Sequence, residues 1–370
     1  MALAHQLQLH QIGCLHRNAA ALRATPRPSL ARTVAKAVTE TEAVGAPTSS
    51  IDWDNLGFGI QGVAPSMFVA TFDTEMGEWS EGGVQPYGPL PMYPSAQVLN
   101  YGQAIFEGLK AQRSTRDRIV LFRPTSNAER MQAGAARMSM AAPPEDLFVR
   151  GVEAAVRSNA SYVPPQGKGS LYLRPLLIGS GPILGVGPAP SYTFIVYAAS
   201  VGAYFKGGQL SPIDLLVETR PGLGSLAAAK AEGYSDVLYL DAKHDNFLEE
   251  VSSCNVFAVY GKTIRTPPLA GTILPGVTRR SVIELARAKG YTVEEAPVSV
   301  AEALAADEVF TTGTAVVLCS VGSLTYQGTK QRYGTEGQPG PVALELYEAL
   351  TGLQQERTED PFGWVHHVPL

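Results

Sequence analysis

Residues 213–241 read IDLLVETRPGLGSLAAAKAEGYSDVLYLD. An apolar run leads into a glycine-rich turn, an alanine-rich helical stretch follows, and a second apolar run ends on Asp241. A dinucleotide-binding fingerprint has the same parts in the same order: a strand, a glycine-rich turn, a helix, a second strand and a terminal acid. Here the turn has the pattern G-x-G-x-x-A, from Gly222 to Ala227. If this is a nucleotide site, the protein is an oxidoreductase and the rest of the chain should supply further β-α-β units.

The composition is that of an ordinary globular protein. The chain has 370 residues, of which 45% are hydrophobic and 17% charged, and this length suffices for two domains. A formal net charge of −5 argues against a nucleic-acid partner. The three cysteines, Cys14, Cys254 and Cys319, have no metal-ligand spacing and suit a reducing compartment. The longest apolar stretch, 192–205, is too short to span a membrane and predicts a buried strand.

The first forty residues differ from the rest of the chain. They are rich in Arg, Ala and Leu and contain no acid before Glu40. This bias is typical of an organelle transit peptide, and the alternative is a disordered basic tail without an address. We predict a transit peptide and disordered leader over residues 1–50.

The remainder alternates strands and helices without an internal repeat, which indicates an α/β or α+β class with two domains. We predict a small N-terminal α/β domain over 51–200, an interdomain connection over 201–212 and a larger C-terminal domain over 213–370. The predicted strands are 66–74, 119–122, 172–178, 192–199, 213–217, 255–260 and 263–266, and the predicted helices are 127–140, 145–159 and 279–289.

Three segments have the chemistry to hold an anion. Residues 271–279, GTILPGVTR, run into a predicted helix, whose first N–H groups and dipole favour a phosphate. The small-residue turn 311–315, TTGTA, exposes successive N–H groups. Arg130, on a predicted helix, can clamp a phosphate with two hydrogen bonds. Taken singly, each is better explained as an ordinary helix cap, turn or solvated arginine.

Two further groups suit a ring nitrogen and a small substrate. Glu249 and Glu250 stand together between two predicted strands, where a carboxylate can pair with a protonated nitrogen; the alternative is a charged loop. Aromatic residues, glycines and an arginine suit a substrate with an apolar side chain and a carboxylate, although the aromatic rings alone would be read as core. These residues are Tyr101, Phe106, Gly108, Tyr172 and Arg174.

These segments occur together and in order in one family. The chain resembles the branched-chain amino-acid aminotransferases, two-domain fold type IV enzymes that depend on pyridoxal 5'-phosphate (PLP). The resemblance runs from about residue 51 to the C-terminus. It is carried by SAQVLNYGQAIFEGLKAQR, FRPTSNAERMQ, SLYLRPLLIGSG, GYSDVLYLD, EEVSSCNVF, GTILPGVTRRSVIELA, ADEVFTTGTAVV and EDPFGW.

The resemblance implies a role for each matching residue. Arg130, Val277, Thr278 and Thr314 would hold the cofactor phosphate, and Glu250 would pair with the pyridine nitrogen. A second set would line the substrate pocket: Tyr101, Phe106, Gly108, Tyr172, Arg174, Tyr204 and Ala315.

The resemblance also implies the reaction and its setting. An amino group would pass between leucine, isoleucine or valine and 2-oxoglutarate in branched-chain amino acid biosynthesis. The family's members are typically homodimers with the site at the domain junction. The segments VLYLD and EEVSSCNVF most resemble those of the plant and algal branch of the family. Together with the basic leader, this resemblance favours a plastid over a mitochondrion.

One expected residue is missing. The family carries its Schiff-base lysine in a GG-x-K-x-x-x-N-Y-like segment between the strand seen here at 213–217 and the helix seen here near 229–233. This chain has only TRPGLGSLA between Glu218 and Ala228, with neither a lysine nor an Asn-Tyr pair. Both flanks match the family, so a short internal block is missing and the GLGSLA fingerprint is the product of joined flanks.

Three interpretations are open. The first, which we favour, is that the chain is an incorrect gene model or an exon-skipped product of a working aminotransferase. The others are that it binds PLP without transamination, or that it is a working enzyme with an unusual lysine. Lys230 is the nearest substitute in sequence but matches a solvated helix lysine of the family, and Lys206 has no better claim. The shortened connection predicts strain or disorder around 219–226.

Two other enzyme classes fit less well. An oxidoreductase needs further β-α-β units, which this chain lacks. A D-amino-acid aminotransferase or a PLP-dependent lyase of the same fold type does not share the EEVSSCNVF and NYGQAIFEGL segments. A catalytically silent binding or regulatory homologue is the alternative outside enzymes.

Overall fold

A computed structural model describes residues 47–57, 62–205, 210–218 and 223–370. Two sheets, each of nine strands in this described part, organise the chain. The predicted transit peptide lies almost entirely outside the described residues. None of the helices in these ranges has the length and apolarity that crossing a membrane requires.

The first sheet is antiparallel throughout. Its strand order is β18-β6-β5-β7-β8-β1-β2, with β3 paired to β1 and β4 paired to β7. Its strands are β1 (Ser66–Asp73), β2 (Glu78–Trp79), β3 (Gly83–Pro86), β4 (Ala104–Phe106), β5 (Leu109–Arg113), β6 (Ile119–Phe122), β7 (Gly169–Gly179), β8 (Ser191–Gly202) and β18 (Val365–His367).

Three helices accompany this sheet: α1 (Gln97–Tyr101), α2 (Pro124–Arg137) and α3 (Glu145–Ser158). The buried face of α3 includes Leu147, Phe148 and Val152, which join the core of the first sheet. The 3.6-residue spacing of these apolar positions is what predicts the helix, and its predicted bounds of 145–159 are confirmed to one residue. α2 begins three residues earlier than predicted because Pro124 fits the first turn of a helix, where no N–H partner is needed.

The second sheet closes on itself. Its order is β11-β10-β9-β16-β15-β12-β13-β14, with β17 paired to β16, and an additional β11–β12 pairing joins six of these strands into a ring. The strands are β9 (Ile213–Glu218), β10 (Asp236–Leu240), β11 (Leu248–Val251), β12 (Cys254–Tyr260), β13 (Thr263–Thr266), β14 (Thr292–Glu295), β15 (Glu308–Gly313), β16 (Val317–Tyr326) and β17 (Thr329–Arg332).

Four helices lie on the second half of the described chain: α4 (Leu223–Ala231), α5 (Val277–Ala288), α6 (Val300–Leu304) and α7 (Pro341–Gln354). β9, α4 and β10 form the β-α-β unit that the opening stretch predicts, with β9 and β10 parallel. α5 starts at Val277, two residues before the predicted start, so the predicted phosphate-binding residues form its first turn.

The structure differs from the predicted domain ranges at two points. β8 continues through Gly202, so the predicted connection 201–212 begins inside a strand. The last strand of the chain, β18, pairs antiparallel with β6 of the first sheet, although the predicted range 213–370 places it in the second domain. Sequence patterns set the local strand but not its distant partner, which explains both differences.

Candidate active site

The first turn of α5 is an anion-binding element. Its N-cap, Gly276, has no side chain to cap the helix, so the first N–H groups remain available in the way that a bound phosphate requires. A Cβ atom at Gly276 would lie 2.2 Å from Asn255 Oδ1, so only glycine fits this close approach. Thr278 follows within the turn and is buried.

A hydrogen-bonded brace holds the loop before α5. Asn255 Nδ2 donates to the carbonyl oxygen of Leu274 at 2.9 Å, and Leu274 N donates to Glu250 Oε2 at 3.1 Å. Glu250 is partly buried, and desolvation raises its pKa, with the neighbouring Glu249 carboxylate adding to the effect. Glu250 is therefore tied to the loop that precedes the helix terminus, next to the predicted phosphate site.

The turn between β15 and β16 connects the two sheets. Thr314 Oγ1 donates to the carbonyl oxygen of Gly108 at 3.3 Å, and Lys110 Nζ donates to the carbonyl oxygen of Ala315 at 2.6 Å. Both bonds join β5 or its preceding loop to the second sheet. They hold the TTGTA turn against the first sheet.

Arg130 reaches this region from α2. Its Nε and Nη2 donate to the two oxygens of Glu107 at 2.7 and 2.6 Å, and its Nη1 donates to the carbonyl oxygen of Pro275 at 3.2 Å. Glu107 is only 3% exposed and also accepts a bond from Asn127 Nδ2 at 2.8 Å. The guanidinium is thus held beside the start of α5 by a buried carboxylate.

These elements enclose one pocket between the sheets. Its walls include Gly108, Lys110, Asn127, Val277, Thr278 and Thr314. Of the residues predicted from the sequence, the structure brings Gly108, Val277, Thr278 and Thr314 onto a common surface. Arg130 and Glu250 flank that surface without lining it.

Phe106, Tyr172 and Arg174 form a second group beside the pocket. The Arg174 guanidinium carbon lies 4.5 Å from the Phe106 ring centre and 5.5 Å from that of Tyr172. Gly108 separates this group from the pocket, and a Cβ there would lie 2.2 Å from the Tyr172 hydroxyl. A cation stacked on aromatic rings suits the recognition of a carboxylate next to an apolar side chain.

Two predicted substrate residues lie outside the pocket walls. Tyr101, on α1, is half exposed, and its hydroxyl donates to the carbonyl oxygen of Leu184 at 3.3 Å. Tyr204 is also half exposed, its ring meets that of Phe205 edge-on, and burial raises its pKa. Ala315, in contrast, contacts the pocket through its carbonyl bond with Lys110.

The structure contains a lysine that the sequence analysis missed. Lys110 is the one described lysine on the pocket wall, and burial lowers its pKa to about 8. Its only sequence signal is its place in the EGLKAQR segment, two residues after Gly108. Lys230 has an exposed side chain in the last turn of α4, and Lys206 lies outside the described residues. The predicted strain at 219–226 also lies partly outside them, at 219–222.

Comparison with known proteins identifies the family. A profile of the class IV amino-transferases matches residues 223–324. The chloroplastic branched-chain-amino-acid aminotransferase 5 of Arabidopsis thaliana is 46% identical, with 93% of this chain and 88% of that protein aligned. The chloroplastic branched-chain amino acid aminotransferase 2 of Humulus lupulus is 49% identical, with 88% and 84% aligned.

Solved structures of such enzymes share the fold. The branched-chain amino acid aminotransferase of Escherichia coli superposes with a TM-score of 0.69 at 26% identity, covering 83% of this chain and 100% of that chain. The enzyme of Thermobaculum terrenum in its PLP form gives 0.67 at 21% identity, covering 84% and 100%. The fold is therefore that of the class IV aminotransferases.

The alignments also contain positions that this chain does not fill. The Arabidopsis alignment spans 372 positions, whereas 93% of 370 residues is about 344, which leaves about 28 positions empty. The Humulus alignment spans 347 positions, whereas 88% of 370 is about 326, which leaves about 21 empty. The match to the family profile starts at Leu223, within the stretch 219–227 that lacks the expected lysine. High identity over most of both lengths shows that this chain belongs to the branched-chain amino-acid aminotransferase family.

Proposed function

We propose that this chain uses PLP to transfer an amino group between leucine, isoleucine or valine and 2-oxoglutarate. One observation carries the proposal: the uncapped first turn of α5 and the Thr314 turn face one pocket, with Arg130 beside it. The residues that line this pocket fit a phosphate, because the N–H groups at a helix start and threonine hydroxyls can donate hydrogen bonds to a bound dianion. Relatives named as branched-chain aminotransferases supply the substrate class.

The residues divide the work of binding and orientation. Val277 and Thr278 would bind the phosphate with the first turn of α5, and Thr314, on the same pocket wall, would add a further contact. Glu250 would accept a hydrogen bond from a protonated ring nitrogen. When bound, PLP supplies an electron sink for bond breaking at the substrate's α-carbon.

The group beside the pocket would select the substrate. Arg174 carries the charge that attracts a substrate carboxylate, and the rings of Phe106 and Tyr172 keep its guanidinium stacked in one orientation. The exposed face of Phe106 offers apolar surface to a branched side chain. This division matches the two chemical features that leucine, isoleucine and valine share.

A titration tests the cofactor site. Thr278→Val removes one hydroxyl and keeps the side chain's shape. A hydrogen bond to a charged group contributes about 1.5–3 kcal/mol, so the PLP dissociation constant should rise about 10- to 150-fold. The matched control is Thr329→Val, on the exposed strand β17. Absorbance or fluorescence titration measures both. Equal affinities for the two variants would contradict this site.

A catalytically silent homologue is the second candidate. It is favoured by the absence of a lysine between Glu218 and Ala228 and by the unfilled alignment positions. Such a protein would bind PLP but form no glutamate from leucine and 2-oxoglutarate. A coupled assay for glutamate, run on protein that retains PLP, separates it from the enzyme. Glutamate formed only from a different amino donor would indicate a different fold type IV enzyme.

We infer that the chain forms a homodimer. Leu184 and Val186 are 87% and 84% exposed, and their loop is fastened to α1 by the Gln97–Gly185 and Tyr101–Leu184 hydrogen bonds. Contiguous exposed apolar side chains mark an interaction surface. Light scattering should give twice the chain mass for the unaltered protein. Leu184→Glu should reduce the measured mass to that of a single chain. A monomeric unaltered protein would refute the inference.

We also propose a plastid location. The basic leader supports it, as do the relatives named chloroplastic, although relatives named mitochondrial occur as well. A fluorescent fusion to residues 1–50 should enter plastids, and entry into mitochondria would select the alternative.

A further inference from the structure

Lys110 differs in setting from the other described lysines. Its side chain extends from β5 to the second sheet, where Nζ donates to the neutral carbonyl oxygen of Ala315 at 2.6 Å. None of the ion pairs within the described ranges includes it. Three other lysines face carboxylates: Lys168 pairs with Asp54, Lys289 with Glu345 and Lys330 with Asp214.

The Lys110 amine is also desolvated. Burial without a carboxylate partner lowers the pKa of Lys110 to about 8, so about half of the population carries an unprotonated amine at that pH. An unprotonated amine is the reactive form toward a carbonyl group. A lysine that is exposed to water stays protonated and reacts far less at the same pH.

The pocket places this amine near the anion-binding elements. Lys110, Val277, Thr278 and Thr314 line the same walls. A phosphorylated aldehyde held by the first turn of α5 would therefore extend along the surface that Lys110 occupies. No residue between Glu218 and Ala228 can provide an amine instead, because that stretch contains no lysine.

We propose that Lys110 is the amine through which this chain binds PLP covalently. The inference rests on the proposed function, since the phosphate contacts are what hold the aldehyde in place. The unprotonated Nζ adds to the aldehyde carbon, a C=N bond replaces the C=O bond, and the oxygen leaves as water. Nothing is oxidised or reduced, and the hydrogen bond to Ala315 is released as the bond forms.

Borohydride trapping tests the inference without an activity measurement. The protein is incubated with PLP at pH 8 and treated with borohydride, which reduces C=N to a stable secondary amine, and the modified peptides are mapped by mass spectrometry. We expect one pyridoxyl group per chain, on Lys110. Lys110→Arg, which keeps the positive charge, should lower trapping at least tenfold, whereas the matched control Lys230→Met should leave it unchanged.

Retention of unreduced PLP, measured by ultrafiltration, separates the role of Lys110 from the existence of the cofactor site. PLP retained by the unaltered protein, with trapping on Lys206 or Lys230 or on no lysine, overturns the role of Lys110 and leaves the cofactor site standing. Failure of the unaltered protein to retain PLP overturns the proposed cofactor and the role of Lys110 together. Trapping on Lys110 without glutamate formation supports the covalent site and selects the silent homologue.

Discussion

Replacing Lys110 by methionine tests whether the amine is desolvated in the folded protein. Its pKa is lowered from 10.5 to about 8 by burial. Each pKa unit corresponds to about 1.4 kcal/mol, so the charged form is disfavoured by ~3 kcal/mol in the folded state. Lys110→Met keeps a long apolar side chain. It removes the cost of burying the charged amine, together with the hydrogen bond to Ala315.

The sign of the pH dependence follows from proton binding. The folded-state pKa lies below the unfolded one, so the unfolded chain binds more protons between pH 8 and 10.5, and the lysine's penalty shrinks as pH rises through that window. Below about pH 8 the penalty is nearly constant. The free energy of unfolding of the unaltered protein, minus that of Lys110→Met, should therefore increase by about 2 kcal/mol from pH 7 to pH 9.5.

Urea denaturation followed by circular dichroism at both pH values provides the measurement. Comparing two variants cancels the titration of all other groups. Lys168→Met, which removes a half-exposed lysine paired with Asp54, is the control and should follow the unaltered protein across the range. A difference between the unaltered protein and Lys110→Met that stays constant with pH would refute the desolvation argument.

Two further substitutions test the pocket's supports. Gly108→Ala should lower the free energy of unfolding by about 1–3 kcal/mol, because its new Cβ would lie 2.2 Å from the Tyr172 hydroxyl. The control is Gly88→Ala, in open space, which should change the free energy of unfolding by under about 0.5 kcal/mol. Equal effects of the two substitutions would contradict the clash. Asn255→Ala leaves the Leu274 carbonyl without its bond, so stability should fall by about 1–3 kcal/mol and PLP should bind more weakly. Unchanged denaturation and titration curves would show that the brace does not support the α5 terminus.

Local structure was predictable from the sequence because local patterns cause it. The apolar spacing in α3 and the short hairpin of β12 and β13 both occur as expected. Helix starts were less accurate, since Pro124 and Val277 begin helices ahead of their apolar stripes. The sequence signals for these starts are a proline at the first helical position, Pro124, and a glycine directly before the helix, Gly276.

The site required contacts that no local pattern shows. Lys110 and Ala315 are 205 positions apart, and their bond depends on how the two sheets pack. From the sequence alone, Lys110 looks like any strand lysine, whereas Lys230 is the nearest lysine to the missing block. Nearness along the chain is a poor guide here, because the functional residues come from both halves of the fold.

The pairing of β18 with β6 has a consequence for the order in which the protein can be completed. During synthesis the N-terminal residues leave the ribosome first, yet β6 keeps an unpaired edge until residues 365–367 have been made. An unpaired edge strand readily joins other chains. The nascent first half is therefore a candidate for chaperone protection throughout translation, and a stop codon only a few residues early would leave that edge open in an otherwise finished molecule.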